Sequence, residues 1–395
     1  MQRGAIRRRL SAIYELETGH AQRLLAMEGI RGFAVALVFM VHYSTLFSPW
    51  ARPGSATTSI AHFFWSIGHS GVDLFFVLSG YLIYGAALKP ALNFIKFMQR
   101  RLQRIYPTFL CVFAMYLALS FLFPGESKLP PAPLDAGVYI VQNLLLLPGI
   151  FPIEPIITVA WSLSYELFYY LTLPLLIIAV RMTRWTPRQR VGFFVLLAVA
   201  LIGFCFLVSP AYLRMLMFIS GILVYEAIHS FDAWPNLKRG GEAAILLFFA
   251  LTFPLIYLLE SHAGLFPAWL GVADNKGSYR ILVLAVSFAL FVLAAFRSRG
   301  LLKRLFSWTP LRWLGNMSYS YYLIHGLVLK FAALILKAVF DQDGTRPALF
   351  WLALPVAFIG TLVGSTLLFM IVEKPFSLMP RRKPVDIPVT TSGIA

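Results

Sequence analysis

Two ionisable side chains stand in the apolar run EGIRGFAVALVFMVHYS, residues 28–44: Arg31 near its start and His42 deep within it. Asp73 occupies a second apolar run, GHSGVDLFFVLSGYLI (68–83), and Glu166 a third, TVAWSLSYELFYYLTLP (158–174). Ionisable groups inside membrane segments are expensive, and those that persist usually face a cavity or each other. A histidine next to a carboxylate can take the proton from a hydroxyl, a group too weakly acidic to attack unaided. Arg31 and His42 are eleven positions apart, and at about 100° per residue that is within roughly 20° of three full turns. They therefore share one helix face about 16 Å apart. The plainer reading of Arg31 is an interfacial anchor that snorkels to headgroups.

Counting rises from the expected outer helix ends puts His42 about 10 Å deep, Asp73 about 6–10 Å and Glu166 about 14 Å. All three are thus expected in one outer layer, with Asp73 fixing the tautomer of His42 and steadying its cation. His69, four residues before Asp73, is a rival partner for that carboxylate. Ser79-Gly80 reads as a close helix-packing pair. The stretch RRLQRIYPTFL (100–110) opens another apolar run with Arg101 and Arg104 on neighbouring turns, suited to the phosphates of an anionic cofactor; membrane topology alone is the alternative for such arginines. In LGNMSYSYYLIHG (314–326), Tyr322 and His325 are candidates for orienting a substrate, with a satisfied core histidine as the other reading, and Tyr165 is placed beside them as substrate-binding. Glu373-Lys374-Pro375 reads as a helix stop carrying a surface ion pair. Cys111 and Cys205 each lie within an apolar run and read as packing residues; no metal-ligand spacing is present.

The elements that would hold these groups are membrane helices. Of 395 residues, 59% are hydrophobic and 13% charged, and mean hydropathy is +0.75, against about 45–50% apolar and 25% charged in soluble domains. A span needs about 20 apolar residues. Such runs occur at 30–49, 66–88, 104–123, 157–180, 191–208, 211–229, 243–260, 280–297, 313–339 and 348–372, which predicts an all-α bundle of about ten transmembrane helices. Segment 136–150 is too short and reads as re-entrant or interfacial. The net charge of +17 does not mark nucleic-acid binding, because the basic residues cluster between apolar runs. With the N-terminus inside, 26 of the 34 Lys and Arg residues fall on inner segments and five on outer ones, so both termini are expected to be cytoplasmic. Residues 1–26 read as a basic cytoplasmic arm able to lie on anionic lipid, 27–376 as the membrane domain, and 377–395 as a short polar cytoplasmic tail.

Taken together, EGIRGFAVALVFMVHY, GVDLFFVLSGYLI, RRLQRIYPTFL, AWSLSYELFYYL, LGNMSYSYYLIHG and VEKPF resemble, in order and over about residues 26–376, the acyltransferase-3 family of integral membrane acyltransferases. The resemblance implies transfer of an acyl group, commonly acetyl, to carbohydrate or other hydroxyl acceptors, as in polysaccharide and O-antigen O-acetyltransferases. The family's essential Arg and His of the first span fall on Arg31 and His42, its acidic residues on Asp73 and Glu166, and its arginines before the third span on Arg101 and Arg104. Members often carry a soluble hydrolase-like domain after the last span; only about twenty residues follow here, so a separate transferase, if needed, is expected from another chain.

The expectation is therefore O-acyl transfer from acyl-CoA, with acetyl-CoA as the leading donor and no metal, to a sugar, polysaccharide or lipid-linked glycan, in a bacterial inner membrane. His42 acts as general base or transient acyl carrier; Asp73 and Glu166 complete the catalytic set; Arg31, Arg101 and Arg104 hold the donor. A transporter or flippase for a lipid-linked sugar is the alternative, since charged groups near the midplane suit that function too.

Overall fold

A computed structural model describes residues 10–16, 25–90, 92–234, 237–267 and 271–378. Among these the regular secondary structure is helix, with one isolated bridge between Pro148 and Phe151 and no strand. Ten segments are long and apolar enough to cross a membrane. They match the ten expected from hydropathy, and the differences lie at their ends.

The first span is α1 (Leu25–Phe47). The second begins earlier than its apolar run, because α2 (Ala56–Gly68), capped by the Ser55 hydroxyl, leads through His69 into α3 (Ser70–Ala87). The third, α4 (Phe94–Leu122), starts ten residues before its expected boundary. Asn93 accepts from the Lys96 N–H at 2.9 Å and so caps it. Arg101 and Arg104 consequently lie within regular helix and project sideways into the bundle. The 136–150 stretch contributes a twelve-residue helix, α5 (Pro133–Leu144), whose Asn143 accepts from the Ile156 N–H at 2.8 Å and ties the following loop back.

Next come α6 (Trp161–Ala179), α7 (Pro187–Leu207), α8 (Leu216–His229), α9 (Arg239–Ser261) and α10 (Val272–Arg297). α7 opens with a capping box between Thr186 and Gln189 and proline at its first position. The expected span 313–339 is divided. Short helices α11 (Leu301–Phe306) and α12 (Thr309–Asn316) precede a break at Met317, and α13 (Ser318–Val339) begins there. The last span is α14 (Pro347–Leu368), which continues as a π-helical segment, Phe369–Leu378.

Small residues let the central helices touch. A Cβ on Gly80 would come 2.1 Å from the Phe218 carbonyl oxygen, and one on Gly221 would come 2.0 Å from that of Val77. α3 and α8 therefore meet backbone to backbone at reciprocal glycines. Around this contact Phe76, Phe218 and Tyr169 stack in series at 4.6 and 3.9 Å, joining α3, α8 and α6. Gly80 packs as expected, but its neighbour Ser79 bonds Glu166 instead.

Glu373 departs from its expectation as a surface ion pair. It is fully buried, pairs with Arg104 at 2.8 Å, and accepts from both the backbone N–H (2.9 Å) and the hydroxyl (2.5 Å) of Ser320. The π-helical widening at the end of α14 turns this carboxylate inward onto the first turn of α13, where unsatisfied N–H groups attract negative charge. Lys374 points the other way and donates to the Ala12 and Ile13 carbonyls at 2.7 and 2.8 Å. That tie, with Tyr14 stacked on Trp313 at 5.5 Å, docks residues 10–16 against the bundle. The rest of the basic arm and most of the polar tail lie outside the described residues.

Two stability effects follow. Gly80→Val should overpack the α3–α8 contact and cost about 3 kcal/mol or more, seen as a lower unfolding midpoint in detergent. Gly125→Ala, at a position with nothing within 4 Å, should leave the midpoint unchanged. Glu373→Ala should cost about 3 kcal/mol by stranding Arg104 and the α13 terminus, whereas Lys374→Ala should cost about 1 kcal/mol or less.

Candidate active site

Arg31 projects from α1 into a cavity of about 140 Å³ walled by α1, α3, α4, α6 and α13. Its Nη2 donates to the Ser318 hydroxyl at 2.8 Å. Arg101 and Arg104 enter from α4. The Arg101 guanidinium lies over the Phe97 and Tyr170 rings at 5.1 and 5.3 Å, and that of Arg104 over Tyr319 at 5.7 Å. Glu166 enters from α6, where its Oε1 accepts from the Ser79 hydroxyl at 3.0 Å and from the Tyr170 hydroxyl at 2.6 Å. Among the described residues, neither Arg31 nor Arg101 forms an ion pair. Three guanidinium groups thus converge where two carboxylates, Glu166 and Glu373, offset them only in part. Such a site can take a phosphate or diphosphate through charge-assisted, forked hydrogen bonds.

His42 lies on the same face of α1 but opens elsewhere. It lines a cavity of about 410 Å³ with Thr45, Tyr116, Glu126, Lys128, Thr158 and Lys330, and an adjoining one of about 360 Å³ with His69, Val72, Trp161 and Tyr322. Two ion pairs border this space: Lys330 with Glu126 at 2.9 Å and Lys128 with Glu154 at 3.0 Å. The hydrogen bond and charge of Lys330 hold the exposed Glu126 carboxyl below its ordinary range. Lys128 also donates to the Pro155 carbonyl and the Thr158 hydroxyl, at 3.0 and 3.3 Å. It thereby fixes the strand of loop that leads into α6.

The two regions meet at Val72 and Tyr322, which line both the Arg31 cavity and the His42 cavity. The Tyr322 hydroxyl lies 2.7 Å from that of Ser162 and donates to the Val159 carbonyl at 2.9 Å. Tyr322 is therefore a partition tied to the start of α6.

The expected single layer of His42, Asp73 and Glu166 is not what the fold builds. Glu166 belongs with Arg31. The 3-10 turn Thr158–Ala160 reaches the His42 cavity, and the helix that follows carries Glu166 about 10 Å further along its axis. Depth counted from the apolar ends of a run leaves the vertical offset between neighbouring helices unknown. Asp73 does not meet His42 either. It is fully buried in the first turn of α3, and Arg214 Nε is its ion partner at 3.7 Å, longer than a hydrogen bond. The 3-10 segment Pro210–Met215 brings Arg214 there because it leads into α8, the helix packed on α3; the guanidinium also covers Trp161 at 5.0 Å. His69, at the junction of α2 and α3, turns its ring to Trp65 at 5.4 Å.

The ring beside His42 is that of His325, with centroids 5.1 Å apart. His325 is fully buried on α13, and its Nδ1 lies 2.9 Å from the Tyr321 carbonyl. Tyr165 packs between Phe76 at 5.8 Å and Trp161 at 5.9 Å and lines none of the three cavities. Arg214 and Glu373 are the charged groups whose placement sequence reasoning missed. Arg214 was detectable as a charge within an apolar run; Glu373 gave no such signal, because its neighbours Lys374 and Pro375 read as a surface helix end.

The acyltransferase domain of the acyltransferase-3 family matches residues 24–370. Among relatives, the acyltransferase MdmB of Streptomyces mycarofaciens is 26% identical over 394 residues, covering 92% of this chain and 94% of its own. The O-acetyltransferase OatA of Staphylococcus aureus is 27% identical over 345 residues, covering 80% of this chain and 52% of its own. The putative peptidoglycan O-acetyltransferase YrhL of Bacillus subtilis is 25% identical over 399 residues, covering 91% and 56%. The chain thus spans nearly all of MdmB and about half the length of OatA and YrhL. No solved structure matches. A domain match over most of the chain, on a helical bundle with ten membrane-length helices, makes the protein an acyl-transferring membrane enzyme, and the chain belongs to the acyltransferase-3 family.

Proposed function

We propose that the protein is a membrane O-acyltransferase, in its principal activity an O-acetyltransferase. It takes the acyl group from acyl-CoA on the cytoplasmic side and delivers it to a hydroxyl of a sugar, polysaccharide or lipid-linked glycan. The observation that carries this reading is the pair of cavities opening from one face of α1, an arginine-lined one at Arg31 and a larger one at His42, in contact only through Val72 and Tyr322. The excess of Lys and Arg on one set of loops supports placing both termini and the arginine cavity on the cytoplasmic side of a bacterial inner membrane. The names of OatA and YrhL support acetyl and a carbohydrate acceptor.

In this reading Arg31, Arg101 and Arg104 hold the donor's phosphates. Glu166, held by Ser79 and Tyr170, sets a negative charge among the arginines in the donor cavity, where the sequence reading counts it with the catalytic set at His42. The acyl end must then travel about 16 Å along α1 to His42, so Tyr322 stands on its route. At His42 the acceptor hydroxyl gives up its proton as its oxygen bonds to the acyl carbon, the carbon–sulfur bond breaks, and the proton leaves with the thiol. In a two-step version His42 first carries the acyl group. Asp73 acts at a distance, holding Arg214 and Trp161 beside the His42 cavity.

His42→Ala should lower transfer at least about 100-fold at unchanged membrane abundance. The check is mass spectrometry of esters on surface glycans from a deletion strain carrying each allele; ester retained at wild-type level would overturn the reading. Label from radioactive acetyl-CoA that stays on the protein when acceptor is withheld would select the two-step version. Arg101→Ala should raise the KM for acetyl-CoA by about tenfold with a smaller change in kcat, measured as initial rates in isolated membranes. An unchanged KM would remove Arg101 from the donor site.

A further inference from the structure

His325 is a buried titratable group that the sequence assigns to substrate contact, and its surroundings point elsewhere. A carbonyl oxygen can only accept, so the 2.9 Å contact with the Tyr321 carbonyl requires the hydrogen on Nδ1. In the neutral ring Nε2 is then a bare acceptor. That nitrogen is fully buried and has no hydrogen-bond partner among the described residues. Leaving such a group unsatisfied costs about 1–3 kcal/mol. Three rings surround it: Tyr321 at 5.7 Å, Tyr322 at 6.2 Å and His42 at 5.1 Å. The two tyrosine hydroxyls are engaged elsewhere, with Thr361 at 2.7 Å for Tyr321 and with Ser162 and Val159 for Tyr322. The adjacent ring whose N–H is not committed elsewhere is that of His42, with centroids 5.1 Å apart and no hydrogen bond between the two in this structure. No carboxylate takes that place, since Asp73 faces Arg214.

We propose that His42 and His325 work as a proton-handling pair, in which a rotation of the adjacent His42 ring brings one of its N–H groups onto the unpartnered His325 Nε2. This rests on the reading of His42 as the acyl-transfer base. The bond fixes the tautomer of His42 with its bare nitrogen toward the acceptor. When His42 takes the hydroxyl proton, both its nitrogens carry hydrogen, and the bond to His325 shares the positive charge inside the protein. The new oxygen–carbon bond forms, the carbon–sulfur bond breaks, and the departing sulfur takes that proton, so His325 ends each turnover as it began. His325 is a positioning residue that does through a neutral ring what a carboxylate does in other triads. Tyr321 fixes it in turn, held by Thr361 on α14.

Two substitutions separate this role from simple packing. His325→Asn keeps a donor near the Nδ1 position and loses the acceptor at Nε2. His325→Gln can place its side-chain oxygen where Nε2 was. With full-length protein in membranes, acetyl-CoA as donor and rates expressed per folded molecule, His325→Asn should lower kcat about 100-fold with the donor KM within about twofold of wild type. His325→Gln should recover at least about tenfold of that loss. Equal kcat losses in both variants, or wild-type kcat in His325→Asn, would overturn the pair. If His42→Ala is inactive while His325→Asn is fully active, the pair falls and the acyltransferase reading stands; an active His42→Ala removes both.

Discussion

A single rigid helix sets the distance between two chemistries. α1 carries Arg31 and His42 on one wall about 16 Å apart, and a regular helix in a packed bundle cannot shorten that interval. The arginine cavity must form around one residue and the histidine cavity around the other, so the neighbouring helices divide their polar groups between two stations. α4 sends Arg101 and Arg104 to the first. The 3-10 turn Thr158–Ala160 and α6 after it serve both, through Thr158 and Val159 of the turn at the second and Glu166 of the helix at the first. α13 does the same, with Ser318 near Arg31 and His325 near His42.

Charge in a low-dielectric interior has to be answered locally, and the way each charge is answered separates scaffold from site. Glu226 is fully buried but saturated by Arg190, Tyr84 and Ser230. Glu242 is consumed by the Ser298 hydroxyl and the N–H groups of Gly300 and Leu301. These are anchors for turns and helix starts, with no capacity left for a ligand. Arg31 and Arg101 differ because they line a cavity with no carboxylate ion partner among the described residues, and His42 because it too lines open space. The same reasoning makes Asp73 an intermediate case, charged and buried, with Arg214 close enough to balance it but too far for a full hydrogen bond.

α13 links the two stations mechanically. Its first turn is held by Glu373 from the π-helical end of α14 and gives Ser318 to Arg31. One turn on, Tyr322 divides the cavities, and a further turn brings His325 to His42. A displacement of this helix would therefore move the donor contact, the partition and the partner of the base together. The π-helical geometry matters because a regular helix would rotate Glu373 away from Arg104 and Ser320.

The sequence by itself determined whatever depends on one helix at a time: ten apolar spans, the shared face of Arg31 and His42, and the arginines beside the third span. These follow from hydrophobic length and helical period, which are local. Ser79 and Glu373 were misjudged, and Arg214 was passed over, for the opposite reason, since each acquires its meaning from a helix distant in the chain. Asp73 was matched with His42 because both counted to a similar depth, yet depth along separate helices says nothing about rotation or lateral neighbour. Only the tertiary structure decided that Asp73 turns to Arg214, that Glu166 joins the arginines, and that an imidazole stands beside His42. Those pairings are set by which helices pack together and at what vertical offset, a property of the bundle that no single run of residues encodes.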